Sequence, residues 1–178
     1  MSTALLRPYR PADLPAVLEI YREAVRQIAP GLYTPAQVDA WAAFAETNIN
    51  DTTAANDATA ANDTNATPDQ PDLAALLTQG HRIVIESEAG LEAFAVLDPA
   101  DYVSLLYCRA RASRRGYATR LLADLETEAR RQGVTRVHTA ASLISHPLFL
   151  RQGYTVDHPE RIERHGIPFD RYRMSKRL

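Results

Sequence analysis

Apolar residues fall at Leu14, Val17, Leu18, Tyr21, Val25 and Ile28, a spacing that predicts a helix with one buried face and Asp13 placed to cap its first turn. Pro30-Gly31 ends that helix. Thr34-Pro35-Ala36-Gln37 reads as a capping box with proline at the first helical position, and Val38, Trp41, Ala42 and Ala45 give the helix it starts an apolar face. Strand-type runs occupy residues 4–9, His81–Ser87, Glu92–Leu97 and Tyr102–Cys108, with a turn at Ala89-Gly90 joining the second and third. A short helix is expected from Asp72 to Gln79, stopped by Gly80. Helical spacing returns over Tyr117–Gln132, where Leu121, Leu122, Leu125 and Ala129 share a face and Gly133 closes the element. Arg136–Ala141 reads as a strand and Pro147–Gln152 as a short helix closed by Gly153. Tyr154–Glu163 and Asp170–Arg177 are strands on either side of a Gly166-Ile167-Pro168 turn. The order β-α-α, β-β-β, α-β-α-β-β predicts an α+β fold built on one mixed sheet.

Between the first two helices and the short helix at Asp72 the pattern breaks. Asn50-Asp51, Asn56-Asp57 and Asn62-Asp63 recur every six residues among Thr and Ala. A hexapeptide β-helix needs an aliphatic residue in each turn to fill its core, and none is present. Asn, Asp and Thr also make poor helix interiors, because their side chains compete for backbone hydrogen bonds. About 48–70 is therefore expected to be a low-complexity surface insertion. Its three Asn-X-Thr triplets, at Asn50, Asn62 and Asn65, follow from the repeat.

A chain of 178 residues suits one domain, taken here as 1–178. The net charge of −2 gives no reason to expect nucleic acid or an anionic membrane as partner. That balance is uneven: residues 47–72 hold five Asp and no Lys or Arg, so setting those five aside leaves +3 for the rest. Cys108 is the only cysteine, which rules out an internal disulfide. With no targeting pattern and no membrane-length apolar run, a cytoplasmic protein is expected. The histidines at 81, 138, 146, 158 and 165 lack metal-ligand spacing, and no metal is expected.

The chemistry concentrates where the third long strand meets the next helix, at Ala112-Ser-Arg-Arg-Gly-Tyr-Ala-Thr-Arg-Leu-Leu122. A helix start leaves N–H groups without intrahelical acceptors, and its dipole is positive there. Gly116 removes a Cβ that would keep a ligand from the backbone, while Arg114 and Arg115 add donors suited to phosphate oxygens. This combination makes a pyrophosphate cradle. It is neither a Walker loop nor a Rossmann fingerprint, since no Gly-Lys-Ser/Thr or Gly-X-Gly-X-X-Gly is present. The arginines lie at one phosphate-sized loop rather than along a stripe, which excludes a nucleic-acid surface.

Leu105 to Leu122 resembles the acyl-CoA-binding motif of the GNAT acetyltransferases, in which a strand feeds a Gln/Arg-X-X-Gly-X-Gly/Ala loop and a helix. The pattern falls on Ser113-Arg114-Arg115-Gly116-Tyr117-Ala118. Ser142 to Tyr154 is similar to the family's second CoA-side element, and Leu6 to Leu14 to its first strand and helix start. The resemblance implies a GNAT-like mixed, mostly antiparallel twisted sheet with helices on both faces. It also implies acetyl transfer from acetyl-CoA, as co-substrate, to a primary amine of a small molecule or peptide, by a monomer or homodimer. The residues it implies for the CoA side are Tyr107, Cys108, Arg109, Ser113, Arg114, Arg115, Gly116, Tyr117, Ala118, Thr119, Ser142 and Phe149. The backbone N–H near Cys108 would polarise the thioester carbonyl, a role that leaves the thiol unused. Tyr33 and Trp41 fall on the family's acceptor-side wall, although Trp41 also shares the apolar face of Val38 and Ala45.

Three positions depart from the family pattern. Ser113 replaces Gln/Arg, and Ser142 replaces Asn. Phe149 stands where a Tyr often protonates the departing thiolate, and it has no proton to give. The register of the family's usual Glu base lands on Tyr102, and a phenol is a weak base near neutrality. Tyr102 and Ser142 can each hold a water instead. A CoA-binding module without catalysis is the alternative that these departures leave open.

Overall fold

The computed structural model describes residues 4–45 and 73–178. The stretch expected to be a surface insertion, about 48–70, lies outside the described residues. β1 (Leu5–Pro8) leads through a 3-10 turn (Pro11–Asp13) into α1 (Leu14–Ile28) and α2 (Pro35–Ala42). After α3 (Leu73–Leu76) come β2 (His81–Ser87), β3 (Gly90–Leu97), β4 (Tyr102–Cys108), α4 (Tyr117–Arg131), β5 (Arg136–Ser142), α5 (His146–Arg151), β6 (Thr155–Arg164) and β7 (Ile167–Arg177). The strands form one sheet in the order β1-β2-β3-β4-β5-β7-β6. Every pairing is antiparallel except that of β4 with β5.

Successive strand residues point to opposite faces, so a sheet covered on both sides needs apolar residues at every position. β2 shows this directly. Val84 packs with Val17, Ile20, Tyr21 and Trp41 of α1 and α2, whereas Ile83 and Ile85 pack with Leu121, Leu122 and Leu125 of α4. The expected helices on both faces are therefore present. Full burial of each such side chain contributes roughly 1.5–3 kcal/mol.

Three register shifts reset the alternation among the described strands, and two of them, in β3 and β4, bear on the site. Ile85 pairs Ala93 while Glu86 pairs Leu91, which makes Glu92 an extra residue in β3. Val96 pairs Leu105 while Leu97 pairs Val103, which makes Ser104 the extra residue in β4. Val103 consequently faces α4 and Leu105 faces α1, although two residues apart they would ordinarily share a side.

Local chemistry explains most boundaries and corrects some. The capping box forms: Thr34 Oγ1 accepts the Gln37 N–H at 3.3 Å and Gln37 Oε1 accepts the Thr34 N–H at 2.9 Å. Asp13 does not cap α1. Its carboxylate accepts the Arg10 N–H (2.8 Å) and two Arg7 donors (2.8 and 2.9 Å), closing the 3-10 turn ahead of the helix. α3 is shorter than expected, ending at Leu76. Gly80 is required by space: a Cβ there would meet the Leu97 carbonyl oxygen at 2.4 Å.

Candidate functional site

β4 and β5 pair only at Tyr102 with His138 and Val103 with Thr139, fastened by the Thr139 hydroxyl donating to the Val103 carbonyl at 3.0 Å. Beyond that point the two strands part. The Arg109 N–H donates to the Glu92 carbonyl (2.8 Å), so backbone alternation turns the Tyr107 N–H toward β3 as well. The N–H groups of Leu106 and Cys108 face the opposite way, into the wedge that β5 has left.

The loop into α4 stands at the same end of β4. Arg114 (φ 61°) and Gly116 (φ 79°) both adopt the left-handed region, and Ser113 to Gly116 are exposed. A Cβ at Gly116 would meet nothing within 4 Å, so the space above it is open to a ligand. The first bond of α4 is from the Arg120 N–H to the Gly116 carbonyl (3.0 Å), and Tyr117, Ala118 and Thr119 therefore have no intrahelical acceptor. No acidic residue lies in the first turn of α4 to oppose its dipole or the two arginines. The open space above Gly116, the exposed donors and the positive field all fit a pyrophosphate.

Other residues singled out from the sequence are placed as follows. Burial pushes the Cys108 thiol up to about 12, opposed by the Ala118 N–H, which reaches the sulfur. Tyr107 projects to the opposite face, stacked on Phe94 (centroids 5.5 Å apart) and tilted against Tyr21 (4.6 Å). Arg109 is drawn into ion pairs with Glu19 (2.7 Å) and Glu23 (2.6 Å), tying β4 to α1. A depression of about 450 Å³ on α1, lined by Glu19, Arg22, Glu23, Arg26 and Gln27, lies against that bridge and includes none of the wedge residues. Arg115 lies over the Tyr117 ring (5.4 Å), and the Tyr117 side chain is buried in the core beneath α4. Phe149 is buried edge-to-face against Tyr154, with centroids 5.0 Å apart. Tyr102 sits where β4 and β5 still pair, six residues and roughly 20 Å along the strand from Cys108.

Residues 51–176 match the family model described as Acetyltransferase (GNAT) domain. The chain belongs to the GNAT acetyltransferase family. It is similar to the uncharacterized N-acetyltransferase YafP of Escherichia coli K12, with 25% identity over 98% of this chain and 96% of that one. In fold it is similar to the GCN5-related N-acetyltransferase of Rhodopseudomonas palustris, with a TM-score of 0.83, 24% identity, and 100% and 98% of the two chains covered. It is likewise similar to yncA of Salmonella typhimurium, solved with its cofactor acetyl-CoA, with a TM-score of 0.60, 22% identity, and 99% and 95% covered. Among the described residues, no helix is long and apolar enough to cross a membrane.

The α1–α2 side of this GNAT wedge is aromatic. Tyr33 and Trp41 are both buried, in edge contact with centroids 5.2 Å apart, and Phe169 of β7 closes on both rings. The Tyr33 hydroxyl accepts the Leu143 N–H at 2.9 Å, so it braces the end of β5. Ser142 Oγ accepts the Ser145 N–H (3.2 Å) and shapes the turn into α5. His146 stacks on Tyr172 of β7 (4.2 Å), on the far side of β5 from the wedge. Sequence reasoning missed Leu106, whose contribution is a backbone group and leaves no mark in residue type. Arg164, which the sequence does not single out, lies over the Phe44 ring at 5.5 Å.

Proposed function

We propose that this protein transfers acetyl from acetyl-CoA to a primary amine of a small molecule or peptide by direct attack on the thioester. The observation that carries this reading is the parting of β4 from β5, which turns the Leu106 and Cys108 N–H groups into a wedge adjoining the positive loop. In this reading Arg114, Arg115 and the first-turn N–H groups of α4 that lack intrahelical acceptors hold the pyrophosphate, with Ser113 at the edge of the cradle. Acetyl-CoA, when bound, supplies the activated acetyl group and a thiolate leaving group. The Leu106 and Cys108 N–H groups donate to the carbonyl oxygen as charge builds on it, an effect worth several kcal/mol in oxyanion sites generally. Tyr107 and Phe149 line opposite walls and exclude water. The Cys108 thiol, held protonated, packs and does not accept the acetyl group.

Phe149 offers no proton to the leaving sulfur, and this favours one competing reading, a CoA-binding module without turnover. An ordinary thiol pKa of about 8.5 nevertheless makes thiolate a fair leaving group near neutrality. Ser142 serves as a water-holding position, whereas Tyr102, at the closed end of the wedge and about 20 Å along β4 from Cys108, stands too far from the thioester to hold one against it. Release of free thiol from acetyl-CoA, measured over a panel of amines, tests the transfer. Acceptor-dependent release is expected; tight CoA binding with no release over any amine would assign the binding module.

A further inference from the structure

Four of the five arginines on the β6–β7 hairpin have surroundings that differ. Arg161 forms a two-pronged pair with Asp170 (2.7 and 3.0 Å), and Arg171 and Arg173 both donate to Glu160. Arg164, at the end of β6, is partly buried and meets no carboxylate among the described residues. Its guanidinium lies over Phe44, 5.5 Å from the ring centroid. Phe44 adjoins Tyr21 (5.8 Å), and Tyr21 adjoins Tyr107 (4.6 Å), the residue before Cys108. A continuous chain of ring contacts therefore runs through the core from Tyr107 to this cation. The positive charge also reaches the hydroxyls of Tyr21 and Tyr107, easing the ionisation that burial opposes in both.

A ring face satisfies a guanidinium electrostatically but leaves its five edge donors unused. A partly buried cation without a counter-charge is costly, and its planar fork matches a carboxylate through two parallel bonds. We propose that Arg164 anchors a carboxylate on the acceptor, so that the amine acetylated by this protein is one that also carries an acid group, such as an amino acid or short peptide. This rests on the transfer reading above.

The test pairs free amino acids and dipeptides with their C-terminal amides, which lack that charge, and compares each pair at equal concentration of neutral amine. Wild type should prefer the acid of a pair in kcat/KM, and Arg164→Gln should cut the acid-to-amide ratio by about 10- to 100-fold, the span of a charge-assisted hydrogen bond. Arg164→Lys should restore part of the ratio by keeping the charge without the fork. Calorimetric titration of the same pairs into CoA-loaded protein reads the anchor without turnover. If acids bind more tightly than amides yet none is acetylated, the transfer reading fails and the anchor stands. Equal use and equal binding of acid and amide by wild type, or a ratio unmoved by Arg164→Gln, overturns the anchor.

Discussion

Alkylation of the folded protein by iodoacetamide should be about a thousandfold slower than that of the unfolded chain. The perturbation is desolvation. Cys108 keeps some accessible surface as a residue, but its sulfur is packed tightly enough that burial pushes the thiol up to about 12. At pH 8 a thiol of ordinary pKa, about 8.5, is roughly one-quarter thiolate, whereas one near 12 is about one part in ten thousand. Since thiolate is the nucleophile, the ratio of those fractions sets the slowing, on the order of 10³. Cys108 is the sole cysteine, so intact-mass spectrometry of native and denaturant-unfolded samples follows one residue without ambiguity. The linked stability effect has a definite sign. A thiol whose folded pKa is raised contributes stability that is fully present below about pH 8.5 and is lost between there and about 12, reaching roughly 2 kcal/mol by pH 10. Native alkylation as fast as that of the unfolded chain would refute the reasoning and make an acetyl-thioenzyme chemically available.

Arg114→Ala and Arg115→Ala should each weaken CoA binding about tenfold or more, as loss of a charge-assisted bond of roughly 1.5–3 kcal/mol requires; unchanged calorimetric affinity would remove them from the phosphate site. The Asp13 carboxyl is held below its usual range chiefly by its hydrogen bonds to Arg7, so its contribution is full above about pH 4 and lost as pH falls through the folded value. Asp13→Asn should accordingly lower stability by about 1–3 kcal/mol at pH 7 and converge on wild type under strong acid, measured by urea unfolding; a gap that widens on acidification contradicts this. With Phe149 in the wall, the rate should climb with pH as the amine deprotonates and then level off, whereas Phe149→Tyr should add a descending limb near pH 10 as its phenol ionises.

The elements legible in the sequence were those whose signal is local. Leu14 to Ile28 repeats with the helical period, and Thr34 and Gln37 satisfy one another three residues apart, so both helices follow from neighbours alone. The loop at Arg114 to Gly116 was legible for the same reason: donors, glycine and helix start are contiguous. What escaped depends on distant partners. Asp13 suits a helix cap until Arg7 and Glu86, brought together by β1 and β2, draw it into an ion-pair chain. Arg109 sits beside the CoA motif, yet Glu19 and Glu23 claim it from about ninety residues away. Trp41 and Tyr33 carry no sequence sign of whether their rings face a pocket or one another. The place of β7 between β5 and β6 also lies beyond periodicity, because all three strands are compatible with any neighbour.

The extra residue at Ser104 divides β4 into two half-strands out of phase with each other. The first half is tied to β5 and the second borders the wedge, so the phase slip comes close to where the sheet opens. Its effect is to decide which chemistry each layer receives: Tyr107 goes to the aromatic layer and Cys108 to the side of α4. Removing a single residue there would exchange the two, sending a phenol under the loop into α4 and a thiol among the aromatics, without altering any residue in that loop. In this chain, then, the length of β4 matters as much as its side chains: a one-residue gap in that strand would change which side chain each layer receives.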